Sequence, residues 1–171
     1  AAPGDAAPPA ESRRTYDHAM ATLALAKLLE MSGDRAALAG AVEDAAAYCI
    51  RAQNVDARTG RPLGWRYGFK DGDNDTSVTG WMALALTRVA VCRKLGHVNA
   101  PSDAELERSL EGALAWFDRV TDAASGCTGY RSVDDGGSHI PELDALSGGY
   151  PFAKEQSAMT AVSVSCRLAI G

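Results

Sequence analysis

The sequence predicts an all-α fold built from repeated helix pairs. Three observations carry this. Apolar residues recur at helical spacing in five stretches, those stretches alternate between nearly all-apolar and one-sided, and short segments recur at corresponding places along the chain. The 171 residues suit one domain with a real core, and 46% apolar and 23% charged residues are ordinary for a globular protein. Abundant alanine and only 6% aromatics favour helices packed closely through small side chains.

The start, AAPGDAAPPAESRR, is Ala/Pro-rich and lacks periodicity. Residues 1–14 are expected to form an extended linker, a hint that the chain was cut from something longer. The repeat domain is expected over residues 15–171. Its first helix runs from about Thr15 to Met31 and ends at Ser32-Gly33-Asp34. The second runs from about Asp34 to Gln53, with Leu38, Val42, Ala45 and Cys49 on one face and Glu43, Asp44 and Arg51 turned away. A loop rich in Gly, Asp and Asn follows. The third helix starts after the N-cap candidate Asp75 and continues to about Leu95; from Val78 to Cys92 only Thr79, Thr87 and Arg88 are polar. The fourth, about Asp103 to Val120, carries the stripe Leu106, Leu110, Ala113, Phe117 and Val120. After a Gly-rich loop to about Phe152, the fifth spans Glu155 to Ile170.

An all-apolar helix needs cover on every side, and a one-sided helix on one. Periodicity alone fits both an ordinary bundle and two layers, with the first, third and fifth helices inside and the second and fourth outside. Self-similarity favours the layers. AMATLALAKLL, VTGWMALALTRV and MTAVSVSCRLAIG each open an odd helix with small residues and Thr. Tyr48 corresponds to Trp116, and Gly64-Trp65 to Gly129-Tyr130. About two and a half copies of a helix pair result, and such units must stack to bury their faces.

Tyr48-Cys49 and Gln53 followed by Gly64-Trp65 resemble the QW motif of squalene-hopene cyclases, and Trp116-Phe117 with Gly129-Tyr130 looks like a degenerate copy. Asp75-Thr76-Ser77-Val78-Thr79-Gly80-Trp81 resembles the start of an inner helix in protein prenyltransferases. From Thr15 to Gly171 the chain is similar to bacterial prenyltransferase/squalene-oxidase-repeat proteins. The resemblance implies an α/α toroid, of which this chain supplies about two and a half repeats, with the rest from elsewhere in a larger protein or from another copy.

The same resemblance frames the chemistry. The cyclases protonate an isoprenoid with a D-x-D-D-T-A motif. Aligned on Asp75-Thr76, the proton donor falls at Asn74; Asp73 serves only after a one-residue shift. Asp73 and Asp75 are therefore the catalytic candidates if the chain is an enzyme. A carboxylate at a helix start is expected to be held as an anion, which suits a cap better than an acid. Asp71, Asp73 and Asp75 share the opening spacing of an EF-hand, but Thr76 and Met82 stand where Gly and Glu are required, leaving at most an irregular calcium site. Prenyltransferase zinc needs Asp, Cys and His; here Ser77 and Met159 replace the last two, so no zinc and no other cofactor is expected. Tyr16, His18, Trp65, Tyr67 and Trp81 are the ligand-binding candidates, with Trp65 and Tyr130 also readable as staples between repeats. Of the histidines, His18 also reads as structural, bonded to a neighbouring loop, His97 ends a helix, and His139 lies in the Gly-rich loop.

Four cysteines form no C-x-x-C pair; three sit in apolar helical stretches as small hydrophobes, and a pair joined by the fold stays open. Net charge is −5, and Lys and Arg never run beyond two, which argues against nucleic acid or anionic membrane as partner. No apolar run is long enough for a bilayer span and no signal peptide is recognised, leaving cell envelope and cytoplasm both open. The expected function is a non-catalytic or degenerate repeat module that binds a protein partner or an apolar ligand. Self-association through exposed inner-helix edges is the scaffold version of that reading, and a terpenoid cyclase-like enzyme is the alternative.

Overall fold

A computed structural model describes residues 14–32, 35–133, 135 and 157–171. Five helices and no strand occur among them: α1 (Arg14–Met31), α2 (Arg35–Ala52), α3 (Thr76–Lys94), α4 (Asp103–Val120) and α5 (Ser157–Ile170). Of the expected linker 1–14, Arg14 belongs to α1; residues 1–13, the expected break at Gly33-Asp34, His139, the run to Phe152 and the expected start of the fifth helix at Glu155 lie outside the described residues. None of the described helices is long and apolar enough to cross a membrane.

Local chemistry sets the helix ends. Asp75 caps α3 from an extended conformation, its Oδ1 accepting from Val78 N at 2.8 Å. At the other end Gly96 takes φ 71°, its N–H bonds to the Arg93 carbonyl, and His97 N–H reaches the Cys92 carbonyl. That paired stop needs a left-handed residue, which glycine adopts without a Cβ clash. Ser102 and Glu105 close a reciprocal capping box on α4.

α3 is the centre of the packing. It touches all four other helices; α1 and α5 flank it, α2 rests mainly on α1, and α4 mainly on α3. The expected α4 stripe is buried throughout, with Trp116 added to it. Fully buried Leu29, Met82, Leu86 and Phe117 each contribute about 1.5–3 kcal/mol through surface removed from water. Small residues bring backbones together. Cys92 donates its thiol to the Ala26 carbonyl of α1 (3.4 Å), and Cys166 of α5 donates to the Gly80 carbonyl (3.5 Å). All four cysteines are free, and burial pushes the Cys49 and Cys166 thiols up to about 11, so these act as small hydrophobes.

Composition overstates the cover on two helices. Only α3 is enclosed on nearly every side. α1 exposes Met20, Leu28 and Met31, and α5 exposes Val164 and Leu168, because among the described helices α1 packs only against α2 and α3, and α5 only against α3 and, slightly, α4.

A Cβ at Gly80 would overlap Val162 Cγ1, and valine has few rotamers with which to retreat. Gly80→Ala is therefore expected to cost about 1–3 kcal/mol by forcing α5 off α3. Adding Val162→Ala should recover part of it, a coupling that chemical denaturation of the two single variants and the double variant measures.

The loops after α2 and α4 are built alike. In the first, Asp56 N–H bonds to the Arg61 carbonyl, Gly60 N–H to the Asp56 carbonyl, and Val55 pairs with Pro62 across an isolated bridge. In the second, Asp122 N–H bonds to the Cys127 carbonyl, Gly126 N–H to the Asp122 carbonyl, and Thr121 pairs with Thr128. The Asp carboxylates do the same work: Asp56 accepts from Arg58 N, Thr59 N and Thr59 Oγ1, and Asp122 from Ala124 N, Ser125 N and Ser125 Oγ. Each loop also joins two odd helices. The Tyr67 carbonyl accepts from Thr15 N of α1, while Trp65 N donates to Thr79 Oγ1 of α3. The Tyr130 carbonyl accepts from Thr76 N of α3, while Thr128 N donates to Thr160 Oγ1 of α5.

Candidate functional site

The residues singled out in the sequence gather at the helix-start end of α1 and α3, where the first loop returns to the core. Tyr16 and Trp81 meet edge to face, with ring centroids 6.5 Å apart, and both stay half-buried. Trp81 lies one turn beyond Ser77 on the same face of α3. Tyr67 and Tyr130, one from each loop, place their hydroxyls 3.3 Å apart. The two pairs share one character: apolar rings with polar tips, half-buried and partly open to solvent.

His18 is placed differently. Its ring stacks on Tyr48 of α2 at 3.7 Å, and Tyr48 in turn packs against Phe69 at 5.6 Å. This second aromatic row ends in solvent at Phe69, which is 52% exposed and carried no mark in the sequence. Trp65 is fully buried. Its indole N–H donates to the Cys49 carbonyl at 2.8 Å, so the ring ties the first loop to α2 and keeps no face for a ligand.

The acidic run 71–75 is organised by a residue the sequence did not single out. Asn54, 2% exposed, directs its amide N–H groups at the Asp73 carbonyl, Asn74 Oδ1 and Asp71 Oδ1, and its Oδ1 accepts from Gly72 N. Its backbone bonds to Gly64 and Leu63 on the other strand of the loop. Asp71 also accepts from Gly68 N, and Asp73 pairs with Arg66 at the surface. The three carboxylates thus face different partners. No group of three His, Cys, Asp or Glu side chains among the described residues is placed to hold a metal ion.

Asp75 departs from the sequence reading. The cap is there, but the carboxyl is completely buried, and its pKa is raised because loss of hydration outweighs help from Val78 N–H, the Ser77 hydroxyl and Arg66. Oδ1 takes both hydrogen bonds, from Ser77 Oγ at 2.7 Å and Val78 N at 2.8 Å. Oδ2 is buried without a partner among the described residues. The Tyr130 phenol beside it is raised as well, by burial first, then by its bond to Tyr67 and the Asp75 charge. The helix dipole was legible locally; the tertiary burial that overrides it was not.

A carboxyl with a raised folded-state pKa favours folding while it is protonated, and that contribution is lost as pH rises through the folded pKa. Asp75→Asn keeps a capping oxygen and removes the charge. The Tm difference, variant minus parent, is expected to grow as pH rises from about 4, the unperturbed Asp value, towards 7. A difference flat with pH would show a carboxyl that titrates normally.

Comparison with protein-family models, with curated proteins and with solved structures finds no match for this chain.

Proposed function

We propose that the chain is a non-catalytic module of squalene-cyclase- and prenyltransferase-like repeats, a partial α/α toroid, whose helix-start end binds an apolar ligand or a short apolar segment of a partner. The observation that carries this is the two half-buried aromatic pairs, Tyr16 with Trp81 from two odd helices and Tyr67 with Tyr130 from the two loops. The toroid reading draws support from the two loops with one hydrogen-bond pattern, each joining consecutive odd helices. The non-catalytic reading draws support from Asn74 in the acid position, held by Asn54, and from Asp73 paired with Arg66 in solvent.

Titration with farnesol tests it. Trp65 and Trp116 are buried, so a saturable change in tryptophan emission should come from Trp81 and vanish in Trp81→Phe. No saturable change, or one unaltered in Trp81→Phe, counts against this site.

A second reading, an acid-driven terpenoid cyclase-like enzyme, has one observation in its favour: the buried Asp75 carboxyl, with a raised pKa and no partner for Oδ2 among the described residues. It requires turnover of squalene that Asp75→Asn abolishes without unfolding the chain. The binding reading expects no turnover from either protein.

A further inference from the structure

The first loop lies along α4, and specific groups hold it there. Ser109 Oγ donates to Gln53 Oε1 at 2.6 Å, and Gln53 Nε2 donates back to the Ser109 carbonyl at 2.9 Å. About one turn on, a Cβ at Gly112 would come within 2.8 Å of the Pro62 carbonyl carbon. In the last turn Arg119 pairs with Asp56 and holds that carboxyl well below the usual carboxylate range. Beside this seam a cleft of about 520 Å³ opens between α4 and the loop, lined by Arg61, Pro62, Arg108, Glu111, Gly112 and Ala115. Gly112 and Ala115 leave it open, since neither carries a side chain long enough to fill it. Every lining residue is described, and the cleft lies between two elements already seated on each other.

The charges in the cleft lack partners. Arg61 and Arg108 are exposed, and neither guanidinium makes an ion pair or hydrogen bond among the described residues. Acids are not scarce, because the chain has 22 Asp and Glu against 17 Lys and Arg. Arg66, Arg88, Arg93, Arg119, Arg131 and Arg167 each find one. Glu111 follows Arg108 at three residues, a spacing that allows a pair on a helix, yet it pairs with no cation among the described residues. Two unpaired guanidiniums and one unpaired carboxylate therefore line the same space.

We propose that this cleft binds a small phosphate monoester that carries hydroxyl groups, of the class of a phosphorylated sugar. Arg61 and Arg108 hold the phosphate, and Glu111 accepts from a hydroxyl. A phosphate monoester brings about −1.5 to −2 charge at neutral pH and three acceptor oxygens. It can engage both planar forks, whereas a single carboxylate is satisfied by one. Glu111 repels a bare anion and rewards a hydroxyl donor, which selects the ester over inorganic phosphate. The volume falls within the range of small-molecule sites, about 300–1,000 Å³. The cleft is separate from the aromatic end and does not depend on what binds there.

The test is titration of the full chain with glucose 6-phosphate and, in parallel, with inorganic phosphate, followed by amide resonances. Saturable shifts are expected at Arg61, Gly112 and Ala115, with glucose 6-phosphate the tighter of the two. Arg61→Gln and Arg108→Gln should each weaken it at least tenfold while leaving Tm unchanged, because both side chains are exposed and unpaired. Glu111→Ala should bring the two probes to equal affinity. Trp81→Phe should bind glucose 6-phosphate as the parent does. No saturable shift, equal affinity in the parent and the Arg61→Gln/Arg108→Gln double variant, or inorganic phosphate binding as tightly as glucose 6-phosphate to the parent each overturns the site.

Discussion

Trp65→Ala is expected to lower unfolding free energy by about 3–5 kcal/mol, the range for removing a large aromatic from a closed core. The ring has no exposed surface, and its N–H satisfies the Cys49 carbonyl near the end of α2. Its backbone bonds to both the side chain of Thr79 and the amide of Asp75 at the start of α3. Deleting the ring leaves a cavity where loop, α2 and α3 meet, so little of it can collapse. Trp65→Phe keeps most of the volume and should cost about 1–2 kcal/mol, largely for the lost hydrogen bond. Denaturant titration with an unchanged m-value checks both. A loss below 1 kcal/mol for Trp65→Ala would mean that the ring is a surface residue available to ligands.

Asn54→Ala should cost about 2–4 kcal/mol, because a buried amide that serves several backbone and side-chain groups leaves them all unsatisfied at once. The Gly72 N–H, the Asp73 carbonyl and Asn74 Oδ1 would each lose their partner. Asn54→Asp should be no better, since it replaces two N–H donors with acceptors facing Asp71 and Asn74. The cost should appear locally too, as faster amide exchange at Gly72 and Asp73 while amides in the middle of α4 stay protected. Uniform loss of protection would place Asn54 in the global core instead.

Much of the helical frame was readable from the residues. α4 announced itself through its one-sided stripe, a local feature, while the reciprocal cap of Ser102 and Glu105 had not been singled out. α3 was readable because only an enclosed helix tolerates an apolar run from Val78 to Cys92. α1 and α5 were read as similarly enclosed, since composition reports what a helix can bury and not what is there to bury it. The loop repeat was half visible. Alignment on the aromatics matched Gly64-Trp65 with Gly129-Tyr130, whereas the backbone pattern aligns Asp56-Ala57-Arg58-Thr59-Gly60 with Asp122-Ala123-Ala124-Ser125-Gly126. Asp, Thr or Ser, and Gly are the residues such a turn requires, so the signal was in the sequence but carried by small side chains.

The site was legible in part. Tyr16, Trp81 and Tyr67 were marked as aromatics near helix starts, and they lie at one end. Ser77 was weighed only as a missing zinc ligand, yet it is the hydroxyl that holds Asp75. Asn54 sat in a loop where asparagine is common, and its role depends on contacts with residues 71–74 that no local pattern encodes.

Nuclear Overhauser contacts between loop amides and odd-helix threonines are the most direct measurement of the repeated architecture. Trp65 N–H should show contacts to Thr79, and Thr128 N–H to Thr160, as equivalent pairs in one spectrum. If the first pair appears and Thr128 lies instead far from α5, the second loop does not repeat the first, and the stacked-repeat reading fails.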